Sequence, residues 1–372
     1  MLLCPTCVKP MTSAYSLEAK PTPPKSDVDK PRLLIVTDAW RPQINGVART
    51  MEMLRRECHD LGVRTRFITP RGWRTYPMPG YSELRLALPS PFRLAKEIEA
   101  YQPTAVHIAT EGPLGFFARW ICRRSGRRFT TCFHTRYPEY LAARAPIPQR
   151  LTYALLRMFH GAAAATLVSS PALKAELETH GFQKLKVWSR GVDTSRFEAG
   201  VRRDIGLPRP IFLYVGRVAV DKNIDAFLSL DLPGTKVVVG DGPDRQRLQS
   251  LFPTCVFTGY KEGNELASMY ASADVFVFPS RTETFGLVIL KALAAGTPVA
   301  AFDVTGPRDV LGRSGCGFLS EDLREAAMAA LTIDREKCRL YASSQTMRAS
   351  AEDFLRLVFN ATSVTRASNE YG

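Results

Sequence analysis

Short runs of apolar residues alternate with helical patterns from residue 31 onward. Residues 32–36 predict a buried first strand, a loop with Pro42, Asn45 and Gly46 follows, and a helix over about 47–61 leads to a second strand at 64–68. A strand, a helix and a strand in this order predict a parallel sheet. Further strands of this half are predicted at 105–108, 129–133, 165–169 and 185–188. Together they indicate one Rossmann-like unit.

The same alternation starts again after a polar, glycine-bearing stretch at 191–208. Its strands are predicted at 211–215, 236–239, 255–257, 275–278 and 299–301, and a helix over 286–295 follows the fourth of them. The chain is therefore predicted to be an α/β protein with two Rossmann-like, doubly wound domains, residues 31–195 and 206–345. A last amphipathic helix is predicted at 351–359.

A length of 372 residues with 45% hydrophobic residues suits two domains, each with its own core, better than one. Residues 1–30 are rich in Pro, Ser and Lys and are predicted to be a disordered extension, with Met11 as an alternative start. No apolar run reaches 18 residues and no signal-peptide pattern is present, so a cytoplasmic location is expected. The scattered cysteines indicate reduced core thiols, while the lone Cys4-x-x-Cys7 is either a zinc or redox pair or an accident of the tail.

The formal net charge of +14 is distributed unevenly. Residues 1–30 carry an excess of +1, residues 31–200 an excess of +13, and residues 201–372 none. The first half is therefore expected to meet something anionic, and charge alone does not separate nucleic acid from an anionic membrane surface.

Candidate anion-binding groups follow two strands of the second half. Arg217 comes two residues after the end of the strand 211–215, and Lys222 comes five residues later, just before a helix. A guanidinium and an ammonium at a strand end suit a diphosphate, although a solvated basic turn has the same pattern. An acid, Glu283, lies between the strand 275–278 and its helix, where the N–H groups of Phe285, Gly286 and Leu287 are also available to phosphate.

This order of motifs, Gly-Arg-x-x-x-x-Lys-Asn at 216–223 and an acid at 283, resembles the retaining, nucleotide-sugar-dependent glycosyltransferases of family 4. The resemblance implies the GT-B architecture, in which two Rossmann-like domains face a cleft and a C-terminal crossover helix, here within 346–372, returns to the first domain. The signature of the family is Glu, seven residues, Glu. In this chain the first is Glu283, but Lys291 stands at the second position.

The resemblance also assigns roles to individual residues. Arg217 and Lys222 would hold the donor diphosphate, and Glu283 would fix the sugar by its hydroxyls, with Tyr260 and Lys291 near the base and ribose. The remaining donor contacts would come from Gly46, Thr284, Phe285, Gly286 and Leu287. Because an ammonium accepts no hydrogen bond, Lys291 cannot replace a ribose-binding carboxylate.

The first half contributes a histidine and the acceptor side. A lone histidine such as His134, just past the strand 129–133, is more often structural than catalytic, but family members place a catalytic histidine here against the donor sugar. Asp38, Asn45 and Tyr137 are expected on the acceptor side of the same cleft. Gly46 either allows close approach of the backbone to a ligand or forms a turn into the helix.

Neither a metal nor a cofactor other than the nucleotide-sugar co-substrate is expected. The one Asp-x-Asp motif, Asp27-Val28-Asp29, lies in the predicted disordered extension. Phosphate charge would then be met by Arg217, Lys222 and helix dipoles. The resemblance implies retention of anomeric configuration, with the leaving phosphate as the base.

Basic and aromatic residues of the first half bear on the acceptor. A loop predicted at 71–81 mixes the two types, and a helix near 116–124 interleaves Phe116, Phe117, Trp120 and Ile121 with Arg119, Arg123 and Arg124. This pattern suits an anionic bilayer, and it equally suits a solvated helix whose apolar residues face the core. The motifs at 133–140 and 188–193 favour the bilayer, because they resemble the bacterial and plastid branch that glycosylates diacylglycerol or phosphatidylinositol, including sulfoquinovosyltransferase-like enzymes.

The expected function is thus transfer of a hexosyl unit from a UDP- or GDP-sugar to a membrane lipid at the inner face of the cytoplasmic membrane. Two alternatives stay open: a nucleotide-sugar-binding protein whose activity is reduced or lost through Lys291, and a transferase that acts on a soluble or polysaccharide acceptor. Nucleic acid is not expected as a partner, because no recognised motif is present. Family members usually carry Trp where residues 346–348 stand, so looser packing of the crossover helix is expected.

Overall fold

The structure, a computed structural model, describes residues 30–41, 43, 46–78, 81–138, 148–194, 197, 202–281, 286–312 and 314–363. The elements of the first half follow in chain order: β1 (Arg32–Val36), α1 (Gly46–Asp60), β2 (Arg64–Ile68), β3 (Arg74–Met78), β4 (Tyr81–Leu88), α2 (Pro91–Tyr101), β5 (Ala105–Ile108), α3 (Pro113–Arg124), β6 (Thr130–Cys132), α4 (Gln149–Gly161), β7 (Ala165–Val168), α5 (Pro171–Thr179) and β8 (Leu185–Val187).

The second half repeats the alternation of strand and helix. Its elements are β9 (Ile211–Val215), a 3-10 turn (Val220–Lys222), α6 (Ile224–Leu228), β10 (Thr235–Val239), α7 (Arg245–Leu251), β11 (Val256–Gly259), α8 (Gly263–Ser272), β12 (Val275–Phe278), α9 (Leu287–Ala294), β13 (Val299–Ala301), α10 (Thr305–Leu311), β14 (Gly317–Leu319), α11 (Leu323–Ala330), α12 (Arg335–Ser343) and α13 (Met347–Thr362).

Two six-stranded parallel sheets organise these elements. The first has the order β2-β1-β5-β6-β7-β8, and the second has the order β11-β10-β9-β12-β13-β14. The chain order reverses between β1 and β5 in the first sheet and between β9 and β12 in the second. Loops at the carboxyl ends of such strand pairs form the ligand crevice of doubly wound sheets. The fold class predicted from the sequence, two Rossmann-like domains of the GT-B type, is confirmed.

The last helix returns to the first sheet. Buried residues of α13, including Ala351, Phe354 and Val358, share one core with Leu33 of β1 and Leu54 of α1. This is the crossover that the resemblance implied, and it spans Met347–Thr362 where the sequence pattern predicted 351–359.

Tight contacts hold the start of α13. Met347 is buried in the core of the first half, and Thr346 caps the helix by accepting the N–H of Ala349 at 3.2 Å. Backbone bonds also join Val192 to Gln345 and Met347. The looser packing expected from the missing Trp is therefore not observed at Thr346 and Met347.

The buried strands matched the sequence prediction closely, and one exposed element did not. The prediction of a loop at 71–81 is wrong, because β3 and β4 pair there as an antiparallel hairpin. Arg74, Tyr76 and Pro77 of β3 are exposed, so no buried apolar run marks this strand in the sequence.

The described cysteines match their predicted role, since Cys58, Cys122, Cys132, Cys255, Cys316 and Cys338 are all buried free thiols. Cys4 and Cys7, like the rest of the predicted extension at 1–29, lie outside the described residues. None of the described helices is long and apolar enough to cross a membrane.

Candidate functional site

The predicted diphosphate ligands converge after β9. The Arg217 Nη2 atom lies 2.9 Å from Asp221 Oδ1, and the Lys222 Nζ atom lies 3.6 Å from Asp221 Oδ2. Both cations are partly buried, and one carboxylate, that of Asp221, contacts both. Asn223, with φ 54°, donates a hydrogen bond to the carbonyl of Pro279 at 3.1 Å, so this loop is tied to the end of β12. The cations thus lie at the strand pair where the second sheet reverses its order.

The adjoining helix α9 begins next to that pair. Gly286 precedes it with φ 79°, a left-handed conformation that glycine adopts most readily, and Leu287 is its first residue. The N–H groups at the start of a helix have no partner four residues earlier within it, so those of Leu287 and Val288 suit an anion, while that of Ile289 donates to the carbonyl of Gly286 at 2.9 Å. Glu283, Thr284 and Phe285, which the sequence analysis placed here, lie outside the described residues, as does Asn45.

Lys291 occupies the second turn of α9. It is half-buried, and its Nζ atom lies 5.7 Å from the ring centroid of Phe197. A cation over an aromatic ring is stabilised by roughly 0.5 to 1 kcal/mol at a site with some exposure. The replacement for the second signature Glu therefore has a contact of its own inside the protein.

His134 lies at the carboxyl end of β6 in the first half, where Arg190 contacts it. Arg190 Nη2 donates to His134 Nδ1 at 3.0 Å and approaches Cys132 Sγ at 3.3 Å. Because a guanidinium only donates, Nδ1 of His134 accepts, and the ring proton is placed on Nε2. Burial, and then the positive charge of Arg190, hold the pKa of His134 well below its usual 6.5. The imidazole is thus neutral and presents Nε2–H as a donor.

Arg190 is itself anchored to the crossover helix. Its guanidinium lies 3.8 Å from the ring centroid of Trp188, and Trp188 Nε1 donates to the carbonyl of Ser350 at 2.9 Å. Arg190 is buried, and its Nη1 atom makes no hydrogen bond within the described part of the chain. Sequence analysis missed this residue, although it follows β8 and so belongs to the same sheet edge as His134.

A second buried group, also missed, lies beside the histidine. His160 Nε2 is 3.1 Å from Glu111 Oε1, and His160 Nδ1 is 2.9 Å from Thr131 Oγ1. Glu111 follows β5 and so sits at the point where the first sheet reverses its order. Burial raises the pKa of Tyr137, and the negative charges of Glu111 and Asp38 raise it further. The phenol of Tyr137 therefore stays protonated.

Asp38, expected on the acceptor side, has a structural task in the fold. Its carboxylate accepts the N–H groups of Leu114 at 3.0 Å and Gly115 at 3.2 Å, and the hydroxyl of Thr110 at 3.1 Å. Burial raises the pKa of Asp38 to about 6, against these hydrogen bonds, which lower it. Asp38 therefore fixes the start of α3 against β1.

The two halves meet through Tyr260 and Arg49. The Arg49 Nη2 atom of α1 lies 3.3 Å from Tyr260 Oη, and Tyr260 Oη lies 3.1 Å from Glu262 Oε2. Tyr260, expected near the base, is thus exposed at the junction of the two sheets. Gly46 is the exposed first residue of α1, and no described atom lies within 4 Å of the position that a Cβ would take there.

Close packing of the backbone explains the glycine at position 240, in the turn after β10. A Cβ on Gly240 would lie 1.8 Å from the carbonyl oxygen of Gly216. The missing side chain at Gly240 therefore allows the neighbouring loop to approach the backbone. In the described ranges, no cluster of three or more His, Cys, Asp or Glu residues is arranged to hold a metal ion.

Both halves of the chain match families of known proteins. Residues 44–196 match the family described as Glycosyltransferase Family 4, and residues 209–334 match that described as Glycosyl transferases group 1. The GDP-mannose-dependent alpha-mannosyltransferase of Mycobacterium tuberculosis is 34% identical over 343 residues, which cover 84% of this chain and 90% of that protein.

Two further relatives have names that refer to other sugars. The sulfoquinovosyl transferase SQD2 of Arabidopsis thaliana is 33% identical over 295 residues, covering 71% of this chain and 57% of that protein. The alpha-monoglucosyldiacylglycerol synthase of Streptococcus pneumoniae is 27% identical over 371 residues, covering 87% of this chain and 83% of that protein.

Solved structures share the fold. Sucrose-phosphate synthase from Thermosynechococcus elongatus superposes with a TM-score of 0.68 at 18% identity, over 88% of this chain and 98% of that one. Anabaena HepE in complex with UDP and glucose superposes with a TM-score of 0.66 at 14% identity, over 88% and 99%. The mannosyltransferase relative matches both halves in one alignment, so the chain belongs to glycosyltransferase family 4.

Proposed function

We propose that this glycosyltransferase moves a hexosyl unit from a nucleotide-sugar to a membrane lipid such as diacylglycerol, with retention of anomeric configuration. The observation that supports the donor side is that Arg217 and Lys222 lie together at the crevice of the second sheet, where both contact the carboxylate of Asp221. UDP- and GDP-sugars are both candidates. GDP-mannose is the first to test, because a relative 34% identical to the chain is named for it.

In this proposal the protein promotes transfer by holding positive charges and hydrogen-bonding groups next to the donor. Arg217, Lys222 and the first turn of α9 stabilise the diphosphate as negative charge grows on it during departure. Glu283 holds the sugar hydroxyls, and the neutral His134 donates from Nε2 to a sugar hydroxyl. The leaving phosphate takes the proton of the acceptor hydroxyl, which attacks from the same face. No metal ion is assigned a role, since the two cations supply the charge.

The acceptor side rests on chemistry of the first half and on relatives. An excess of +13 lies in residues 31–200, and the relatives include an enzyme named as a diacylglycerol glycoside synthase. Both support a lipid acceptor and a peripheral position at the inner face of the cytoplasmic membrane. Nucleic acid has no place in the proposal.

The test is transfer of radiolabel from GDP-mannose, and separately from UDP-glucose, into organic-extractable product with vesicles that contain diacylglycerol or phosphatidylinositol. The anomeric proton coupling of the product reports retention, and EDTA is expected to leave the rate unchanged. Label that appears only in soluble glycosides would overturn the lipid acceptor, and inversion at the anomeric carbon would overturn retention.

The second candidate is a nucleotide-sugar-binding protein with little turnover, and Lys291 is the observation that favours it. We expect Lys291→Glu to tighten donor binding by roughly ten- to a hundredfold, because it restores an acceptor for the ribose hydroxyls. Part of this gain is offset by the lost contact with Phe197. Calorimetric titration with GDP-mannose and GDP measures the change, and Lys291→Met serves as the control that removes the ammonium without supplying an oxygen acceptor for the ribose hydroxyls.

An unchanged or weakened affinity in Lys291→Glu would show that Lys291 has its own part in donor binding. Donor binding by the wild-type protein without transfer to any acceptor, together with transfer by Lys291→Glu, would favour the second candidate.

A further inference from the structure

Helix α4 exposes an apolar stripe to solvent. Leu151, Leu155 and Met158, spaced by four and three residues, are 58%, 48% and 48% exposed. The opposite side of the helix, including Tyr153 and Leu156, is buried. Residues at this spacing share one face of a helix. Large apolar side chains thus lie on both sides of α4, although only one side has a core to pack against.

Helix α3 extends the same surface. Arg119 donates from Nε to the carbonyl of Phe159 at 2.9 Å and from Nη2 to that of Met158 at 2.7 Å. The Phe116 and Phe159 rings lie 4.8 Å apart, and Trp120 is 49% exposed. On α3, Ile121 is buried and Phe116 and Phe117 pack against the core, as the alternative of a solvated helix expected, whereas Trp120 faces solvent. We call the exposed side chains of α3 and α4 the α3–α4 face.

The charge around this face has one sign. Neither α3 nor α4 contains an Asp or a Glu residue. Arg123, Arg124, Arg150 and Arg157 lie exposed on α3 and α4 themselves. The Arg124 guanidinium lies 5.3 Å from the ring centroid of Trp120. Exposed aliphatic, indole and guanidinium groups on one face suit a layer with apolar chains below anionic headgroups.

We propose that the α3–α4 face docks on an anionic lipid bilayer, with Leu151, Leu155, Met158 and Trp120 entering the headgroup region and the arginines contacting phosphates. A second copy of the chain is a poor match, because two such faces would bring the same positive charge together. The exposed aliphatic stripe has no use in binding a nucleic acid backbone. The inference rests on the proposed function, since it names the surface that brings a lipid acceptor to the enzyme.

The position of α4 fits this role. Its buried side chains Tyr153 and Leu156 share a core with Phe133, the residue before His134. The exposed stripe and the histidine are therefore separated by about one helix diameter, roughly 10 Å. A bilayer bound at this face lies beside the acceptor side of the crevice.

The test is flotation of the full-length protein with vesicles of phosphatidylcholine, with and without phosphatidylglycerol. We expect binding only with the anionic lipid, and a loss of about tenfold or more in the double variant Leu151→Glu/Met158→Glu. The matched control is Leu251→Glu/Leu340→Glu, which changes residues 59% and 66% exposed on helices of the second half. The control is expected to bind within about twofold of wild type.

A second measurement, tryptophan fluorescence, tests whether the same face contacts lipid while the protein stays bound to the vesicles. Quenching by brominated lipids is expected for the wild-type protein and is expected to fall in Trp120→Phe, while Trp40, Trp73 and Trp188 remain. Wild-type binding by Leu151→Glu/Met158→Glu, no vesicle binding at all, or a concentration-dependent dimer abolished by that variant would each overturn the proposal. Vesicle binding through this face together with transfer only to soluble sugars would overturn the lipid acceptor instead, and leave the docking surface standing.

Discussion

Replacing Arg190 with methionine is expected to lower the transfer rate by roughly ten- to a hundredfold, because a charge-assisted hydrogen bond to His134 contributes about 1.5 to 3 kcal/mol. Methionine keeps much of the apolar contact with Trp188 but cannot donate to Nδ1 of His134. The imidazole can then carry its proton on either nitrogen, so Nε2–H is presented for only part of the time. Because Arg190 lies behind the histidine, we expect the KM for the donor to change by less than about threefold.

A pH profile separates this role from a purely structural one. In the wild type, burial and the charge of Arg190 keep His134 neutral well below pH 6.5. Removing the cation raises the pKa of His134, although burial and the neighbouring His107 and His160 continue to lower it. The rate of Arg190→Met should therefore begin to fall at a higher pH on the acid side than that of the wild type.

Nitrogen-15 spectra of labelled histidine give a readout that does not depend on activity. The sequence has five histidines, and comparison with His134→Gln assigns the signal. We expect the Nε2–H tautomer in the wild type and in Arg190→Lys, and a mixture in Arg190→Met. An unchanged tautomer and pH profile in Arg190→Met, with activity lost, would show that Arg190 acts only through folding stability.

Most of the buried strands, and some of the candidate site residues, could be predicted from the sequence. The strands β1, β5, β9, β12 and β13 were predicted with their observed bounds, because a strand buried on both faces is a largely continuous apolar run. The bounds of β2, Arg64–Ile68, were also predicted, although this strand is mostly not buried. Arg217 and Lys222 were predicted as ligands for a related reason: a polar residue just after such a run lies at the edge where ligands bind. Both predictions depend only on residues that are close together in the sequence.

Arg190 and Asp38 could not be assigned in this way. Arg190 follows β8 and His134 follows β6, and the strand order shows that β7 lies between them. A long side chain such as that of arginine is needed to reach across that strand, and the sequence does not reveal the strand order. Likewise, the role of Asp38 comes from its contacts with α3, which begins 75 residues later in the chain. Side-chain partners at such distances depend on topology, which periodicity does not encode.

Removing both cations of the diphosphate site is expected to have the largest effect on donor binding. Each charge-assisted contact is worth about 1.5 to 3 kcal/mol, so Arg217→Ala/Lys222→Ala should weaken affinity for GDP-mannose by roughly a hundred- to ten-thousandfold. Asp221 now balances part of their charge, and in the variant it would face the diphosphate alone. The loss should be larger for GDP than for guanosine, which has no phosphate, because the cations meet phosphate and not the base.

A matched variant distinguishes this from a general loss of charge. Lys337→Ala/Arg339→Ala also removes one Lys and one Arg from the second half, and Arg339 packs beside Gly296, past the C-terminal end of α9. Since anions are stabilised at the N-terminal end of a helix, this control should bind GDP-mannose within about twofold of wild type. Equal weakening in both variants would mean that overall charge, not the site after β9, governs donor binding. Equal weakening of GDP and guanosine by Arg217→Ala/Lys222→Ala would place the two cations at the nucleoside rather than the diphosphate.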